Sequence, residues 1–451
     1  MSNHAAVTVD GGEVGRAQAM QAQAAGAPLD RRMNPILLKP TSAMRSHVVV
    51  MGDEVSTTDA KSYGPTSKAL KPIVLDAFNS LRSEYDWVVA EGAGGAAEIN
   101  LLDRDLVNLP LARAAGVPAI LVVDIDRGGA FAAAHGTIDL LPLPLREKVA
   151  GILFNQFRGD PSLLDSGIAE LERRCGVPVL GVLPHLGDHP MLGVEDSLDI
   201  HPHLYSATRS VRPVRVAAIR LPHLANPSDL DPLMVEPDVD LRWVTRPGEL
   251  EATDMVVIPG SRATVADLDW LRESGLAAGI KRTDAWVLGI CAGYQMLGLQ
   301  IHDNVESNSG AVEGLGLLPV ETTFEPTKIV RRTRGTANGR PVEGYQIHNG
   351  RVSNPGEGWF CLDGEDEGAT RRNTYGTSLH GVFDADGFRS NLMQAVAAQR
   401  DRSYEAAGAG FADVLDTHHH HLADWVESHV DCDRLVELAA AASPPDEAPG
   451  W

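Results

Sequence analysis

Between residues 47 and 184, short β-branched or apolar runs alternate with stretches of helical periodicity. The runs His47–Met51, Trp87–Ala90, Ala119–Asp124, Gly151–Asn155 and Val179–Leu183 predict strands, with amphipathic helices at Ala69–Leu81 and Leu163–Arg174. Such alternation marks βαβ units, whose crossover helices cover both faces of a parallel sheet. A second βα series opens at Val214–Ile219, after the Pro- and Arg-containing stretch Ser206–Pro213, and runs through Met255–Ile258 and Trp286–Ile290. The chain then turns β-rich and Gly-rich from Gly314 to about Gly376, and beyond about residue 400 it reads as helix with an Ala- and Pro-rich end that should fray. The division predicted is one α/β domain over residues 1–205, a linker at 206–212, a second α/β domain over 213–400 and a helical tail over 401–451.

A chain of 451 residues is long enough for two cores, and 43% hydrophobic with 22% charged residues is the balance of a folded protein. The 61 acidic against 39 basic residues give a formal charge of -22, a surface that repels phosphate backbones. Nucleic acid and anionic membranes are therefore not expected as partners; small molecules or proteins are. Cys175, Cys291, Cys361 and Cys432 are widely spaced, so neither a disulfide framework nor a structural zinc site is expected, and a reducing cytosol fits. No apolar run approaches the roughly 18 residues that span a bilayer, and the first residues resemble no signal peptide. The expected location is cytoplasmic.

The strongest chemical signal is Val287-Leu288-Gly289-Ile290-Cys291-Ala292-Gly293-Tyr294-Gln295, a strand entering a helix through Gly-x-Cys-x-Gly. Flanking glycines permit the sharp turn that lifts a nucleophile clear of the sheet, and a thiol at a helix N-terminus is favoured as thiolate. Cys291 is thus the candidate nucleophile. Its base is expected at His380, in Tyr375-Gly376-Thr377-Ser378-Leu379-His380-Gly381, with His348 the second choice. The amides of Ala292 and of Gly260, in the turn Pro259-Gly260-Ser261, are the natural oxyanion donors. In the first half, Tyr85–Gly95 ends an apolar run in Glu91 and glycines, chemistry suited to Mg²⁺ beside nucleotide phosphates. Asp124, Asp126 and Arg127 follow another predicted strand, where open α/β sheets bind ligands, although a salt-bridged loop would read the same way. Asn226 and Asp229 precede a helix and read as caps. His418–His421 reads as a polar helix start.

Pro259-Gly260-Ser261, Gly289–Gln295 and the late His380 resemble the class I glutamine amidotransferases, which release ammonia from glutamine through a cysteinyl thioester. That superfamily usually orients the histidine with a Glu two residues later. Here that position is Val382, which matches the corrinoid-amidating branch and leaves the orienting role unassigned. Ala97–Leu101, Asp103-Arg104-Asp105, Asp124–Gly129, Asn155–Asp160, Ser2–Thr8, Gly12–Gln18 and Met33–Pro40 together resemble the glutamine-hydrolysing adenosylcobyric acid synthase family over residues 1 to about 400.

The resemblance implies a dethiobiotin-synthetase-like, P-loop-type domain joined to a glutaminase. ATP would activate the b, d, e and g carboxylates of adenosylcobyrinic a,c-diamide, and ammonia from glutamine would amidate them to adenosylcobyric acid. It also implies Glu91 as the Mg²⁺ ligand, with Asp10 or Glu13 as a second acid, and Asn155 as the reader of the adenine edge. Asp124, Asp126 and Arg127 become candidates for phosphate or substrate contact. Against the family pattern, no Gly-Lys-Ser/Thr loop occurs, and Gly64-Pro65-Thr66-Ser67-Lys68 does not qualify. The expectation is that Met1 corresponds to an internal methionine of the family's proteins, with the first strand and phosphate loop encoded upstream. The alternatives are a catalytically dead, corrinoid-binding homologue without the loop, or another amide ligase of the same architecture.

Overall fold

The structure, a computed structural model, describes residues 4–42, 45–59, 63–187, 192 and 211–441. Most of the expected linker, residues 206–210, and the terminus 442–451 lie outside the described residues.

In the N-terminal half, Ala119–Asp124, Val149–Phe157 and Val179–Pro184 pair side by side as a three-stranded parallel sheet. Helices Ala130–Leu140 and Asp165–Cys175 pack Ala134, Ile138 and Leu171 against Ile152 and Phe154 of its central strand. These are the predicted βα units. Two other predicted strands behave differently. The His47–Met51 run falls in Arg45–Val50, the middle of an antiparallel meander with Ile36–Ser42 and Asp53–Asp59. The reason is the turn: Met51 and Gly52 both have positive φ, 49° and 85°, the two-residue reversal that returns a strand beside itself. Trp87–Ala90 forms no strand at all. It runs as coil with Val89 95% exposed, because an apolar, β-prone run becomes a strand only when a ladder partner takes up its backbone groups. The string Gly64–Lys68 lies in the first turns of the helix Tyr63–Glu84.

In the C-terminal half, six strands run in the order Val239–Val244, Val214–Ile219, Met255–Ile258, Trp286–Ile290, Thr374–Thr377, Ala369–Arg371, the last antiparallel to its neighbour and the rest parallel. All four residues of Met255–Ile258 are buried, as a central strand covered on both faces requires. The β-rich region supplies a long hairpin, Glu321–Ala337 against Arg340–Ser353. Its residues Val330, Tyr345 and Ile347 pack on Ala5 and Val7 of a small N-terminal hairpin, Ala5–Val7 with Glu13–Gly15.

The expected tail does not hang free. After the helix Phe411–Glu427, Val430 bridges to Gly181 on the edge of the N-terminal parallel sheet, and the Asp431 N–H donates to the Leu180 carbonyl at 2.8 Å. Phe411 and Leu415 pack with Met20 and Val235, one from each half of the chain. The four consecutive histidines sit mid-helix in Phe411–Glu427 rather than at its start. Among the described residues no helix is long and apolar enough to cross a membrane.

Candidate active site

Cys291 stands between Trp286–Ile290 and the helix Ala292–Leu297 with φ 53° and ψ −110°, a conformation that L-residues rarely adopt. The two glycines explain how the chain reaches it. A Cβ on Gly289 would come within 2.6 Å of the Gly293 and Tyr294 backbone, and a Cβ on Gly293 would collide with the Ile258 carbonyl of the adjacent strand. The Cys291 N–H is anchored on the Thr377 carbonyl at 2.8 Å, and Sγ lies 3.8 Å from the Ile347 carbonyl oxygen.

His380 faces this thiol. Its backbone pairs with Tyr345, whose ring stacks on the imidazole with centroids 5.2 Å apart. Its Nδ1 lies 2.7 Å from Asp229 Oδ2, with both side chains buried. The other Asp229 oxygen accepts the Gly381 N–H at 2.9 Å, so the carboxylate grips the ring and the backbone beyond it. Burial alone would lower the His380 pKa, but the charges of Asp229 and Cys291 outweigh it and drive the pKa upward. Asp229 therefore occupies the place that Val382 cannot fill. It lies in a 3-10 turn, Pro227–Leu230, and reads as a cap in the sequence. The available signal was the apolar company of Leu230 and Leu233, which puts an acid of this turn on a buried face.

A cavity of about 540 Å³ opens in front of Cys291 and His380. Gly260, Ala292, Ser261 and Gln295 line it from the C-terminal half, and Ala5, Lys39, His47 and Glu54 from the N-terminal half. Gly260 pairs with Ala225, and a Cβ there would meet His380 Cε1 at 3.3 Å. The structure thus brings Cys291, His380, Gly260 and Ala292 together. His348 lines the same cavity, but its Nδ1 is 2.7 Å from the Gly350 carbonyl and it has no carboxylate partner among the described residues.

N-terminal residues also reach the site, which the sequence did not suggest. Asn226, with φ 51°, accepts the Ala5 N–H on Oδ1 at 3.2 Å, donates its own N–H to His4 Nδ1 at 2.8 Å, and holds its Nδ2 3.3 Å from His380 Nδ1. Glu13 is buried between Lys39 and Lys328, the latter at 2.7 Å. Burial alone would raise the Glu13 carboxyl; the two ammonium groups hold it at about 2.

The candidate nucleotide residues fall elsewhere. Asp124 and Asn155 are register partners at the C-terminal ends of neighbouring parallel strands. Asp126 pairs with Arg158 at 2.9 Å, and Arg127 lies 3.6 Å from Asp124. Glu91 is on the exposed coil, where it accepts from Gln21 Nε2 at 2.6 Å. Asp10 sits on the turn of the first hairpin, held by Thr8 and by Arg31 at 2.7 Å. Glu13 has both oxygens engaged by lysines, apart from Glu91. Among the described residues no three His, Cys, Asp or Glu side chains cluster as a cage for a metal ion. Mg²⁺ commonly takes only one or two carboxylates alongside substrate phosphates, so an isolated Glu91 fits its chemistry.

Residues 215–388 match the family model of the CobB/CobQ-like glutamine amidotransferase domain, and residues 43–189 match that of the AAA domain. A cobyric acid synthase of Frankia casuarinae is 45% identical over 98% of this chain and 90% of its own length. The chain belongs to the cobyric acid synthase family. It is also similar to the cobyric acid synthases of Saccharopolyspora erythraea, 45% identical over 100% of this chain and 90% of that one, and of Rhodococcus jostii, 44% identical over 98% and 89%. The family combines an ATP-using module with a glutamine amidotransferase module in cobalamin biosynthesis, and the two α/β halves correspond to these modules.

Proposed function

We propose that this protein hydrolyses glutamine at Cys291 and uses the ammonia to amidate the b, d, e and g carboxylates of adenosylcobyrinic a,c-diamide at the expense of ATP. The observation that carries the reading is the strained Cys291 beside a buried His380–Asp229 pair, at the wall of a cavity of about 540 Å³.

In this reading the Cys291 thiolate attacks the carboxamide carbon of glutamine. The oxyanion is received by the amides of Ala292 and Gly260. His380 carries the proton that the leaving nitrogen needs, and its raised pKa suits it to hold that proton until ammonia departs. Asp229 fixes the ring so that Nδ1–H points at the carboxylate and Nε2 at the sulfur. A water that gives its proton to His380 then attacks the thioester, and glutamate leaves. In the N-terminal half a corrinoid carboxylate takes the γ-phosphoryl group of ATP, and ammonia displaces phosphate from the acyl phosphate. Activation is required because a carboxylate is a poor electrophile, and local release helps because free ammonia at neutral pH is mostly ammonium. Mg²⁺ supplies charge neutralisation at the phosphates; Glu91 would hold it, with Asn155 at the adenine edge and Asp124, Asp126 and Arg127 toward phosphate or substrate.

The test is to incubate the protein with adenosylcobyrinic a,c-diamide, Mg-ATP and amide-¹⁵N glutamine, and to count labelled amides by mass spectrometry. Four labels, with one glutamate per label, are the expected result. Glutamate release without any corrinoid amide would confine the activity to the C-terminal half and favour the corrinoid-binding alternative.

A further inference from the structure

Besides His380, the cavity before Cys291 is lined by His47 and His348, neither of which hydrolysis uses. His348 Nδ1 lies 2.7 Å from the Gly350 carbonyl oxygen. A carbonyl only accepts, so Nδ1 carries the ring proton and Nε2 presents a bare lone pair. That Nε2 is buried and has no hydrogen-bond partner among the described residues. Burial pushes the ring pKa down to about 4, aided by His380, Arg351 and Arg331 and opposed by the Gly350 bond, so the ring is neutral at physiological pH. A buried acceptor left unmatched is costly, and at the wall of a substrate pocket a ligand N–H can match it.

The chemistry of glutamine identifies the donor. Sγ is 3.8 Å from the carbonyl of Ile347, so His348 begins one residue from the reacting sulfur. With the carboxamide carbon at Sγ, the carboxamide sits at the His380 end of the cavity, where His380 donates to its nitrogen. The α-ammonium, at the other end of the molecule, is the one cationic donor that glutamine carries. Glu306, fixed by the Thr264 N–H at 2.9 Å, lines the same cavity; burial pushes its carboxyl up to about 7, and a cation bound beside it would favour its charged form.

We propose that His348 Nε2 accepts a hydrogen bond from the α-ammonium of glutamine, so that His348 selects α-amino-acid amides over simple amides. The inference rests on the glutaminase reading above. A protonated histidine would repel the ammonium; burial keeps the ring neutral, and the Gly350 bond fixes the tautomer whose Nε2 accepts.

The experiment compares glutamine with glutaramate, its analogue lacking the α-amino group, in the full chain and in His348→Phe and His348→Gln. A hydrogen bond to a charged group corresponds to about 10–100-fold in binding. KM for glutamine should rise by that factor in His348→Phe with kcat within a few-fold, while kcat/KM for glutaramate stays unchanged. His348→Gln, which restores an acceptor oxygen, should recover part of the preference. Equal losses for both substrates, in variants whose thermal unfolding matches the parent, would overturn the proposal, as would a fall in kcat with an altered pH profile, which would make His348 a base. If the parent hydrolyses neither compound, the glutaminase reading itself fails.

Discussion

Asp229 and His380 lie 151 residues apart in the chain and 2.7 Å apart in the fold. The contact joins a turn after the first strand of the amidotransferase sheet to the loop after its fifth parallel strand, and it sets a buried carboxylate against the imidazole.

Asp229→Asn should therefore lower glutamine hydrolysis by about 10²–10⁴-fold with little change in KM, because the ring loses its tautomer and the charge that steadies its cation. Steady-state glutamate release is the measurement. A mainly raised KM would instead make Asp229 a substrate contact.

The same charge sets a pH dependence. His380 is raised from 6.5 to about 10 by Asp229 and Cys291, so the imidazolium needed to protonate the leaving nitrogen is lost only as pH rises through that region. Stability from this pair is present in full below about pH 6.5 and disappears through the same upper range. In Asp229→Asn the alkaline limb of kcat/KM should move to lower pH. A limb that stays put would assign it to another group.

Glu13 ties the halves together through Lys39 and Lys328, and Glu13→Gln leaves two buried ammonium groups without their anion. A loss of about 3–5 kcal/mol is expected, read by thermal or denaturant unfolding. Because Glu13 is depressed from 4.5 to about 2, its contribution is present above pH 4.5 and lost as pH falls toward 2. The gap between parent and variant should narrow over that window.

A Cβ on Gly344 would collide with the His380 carbonyl. Gly344→Ala should cost about 1–3 kcal/mol of stability by overpacking and should lower glutaminase turnover, since the strand bearing Tyr345 must shift away from the base. Urea unfolding and glutamate release, measured together, check both.

The nucleophile was legible in the sequence because Gly-x-Cys-x-Gly is a local steric requirement, met here by Gly289 and Gly293 against the adjacent backbone. The central strands Val214–Ile219, Met255–Ile258 and Trp286–Ile290 were legible to the residue, since burial on both faces writes itself as predominantly apolar runs, broken here only by the exposed Arg215. Asp229 was not, because a cap and a buried orienting acid use the same residue type and only a long-range contact separates them. Trp87–Ala90 failed for a related reason: propensity is local, whereas a strand needs a partner. The antiparallel place of Arg45–Val50 turned on Met51-Gly52, a dipeptide with weaker turn character than Asn-Gly or Asp-Gly. The return of Val430 to Gly181 had no sequence signal beyond a glycine whose Cβ would strike the backbone of His429 and Val430.

Glutamine hydrolysis at Cys291 passes through a glutamyl thioester, which intact-protein mass spectrometry after acid quench with glutamine, comparing the parent with Cys291→Ala, detects. The parent should carry a glutamyl adduct mapping to the Cys291 peptide, and Cys291→Ala should carry none and release no glutamate. An unmodified Cys291 peptide in an active parent, or undiminished glutamate release by Cys291→Ala, would contradict it.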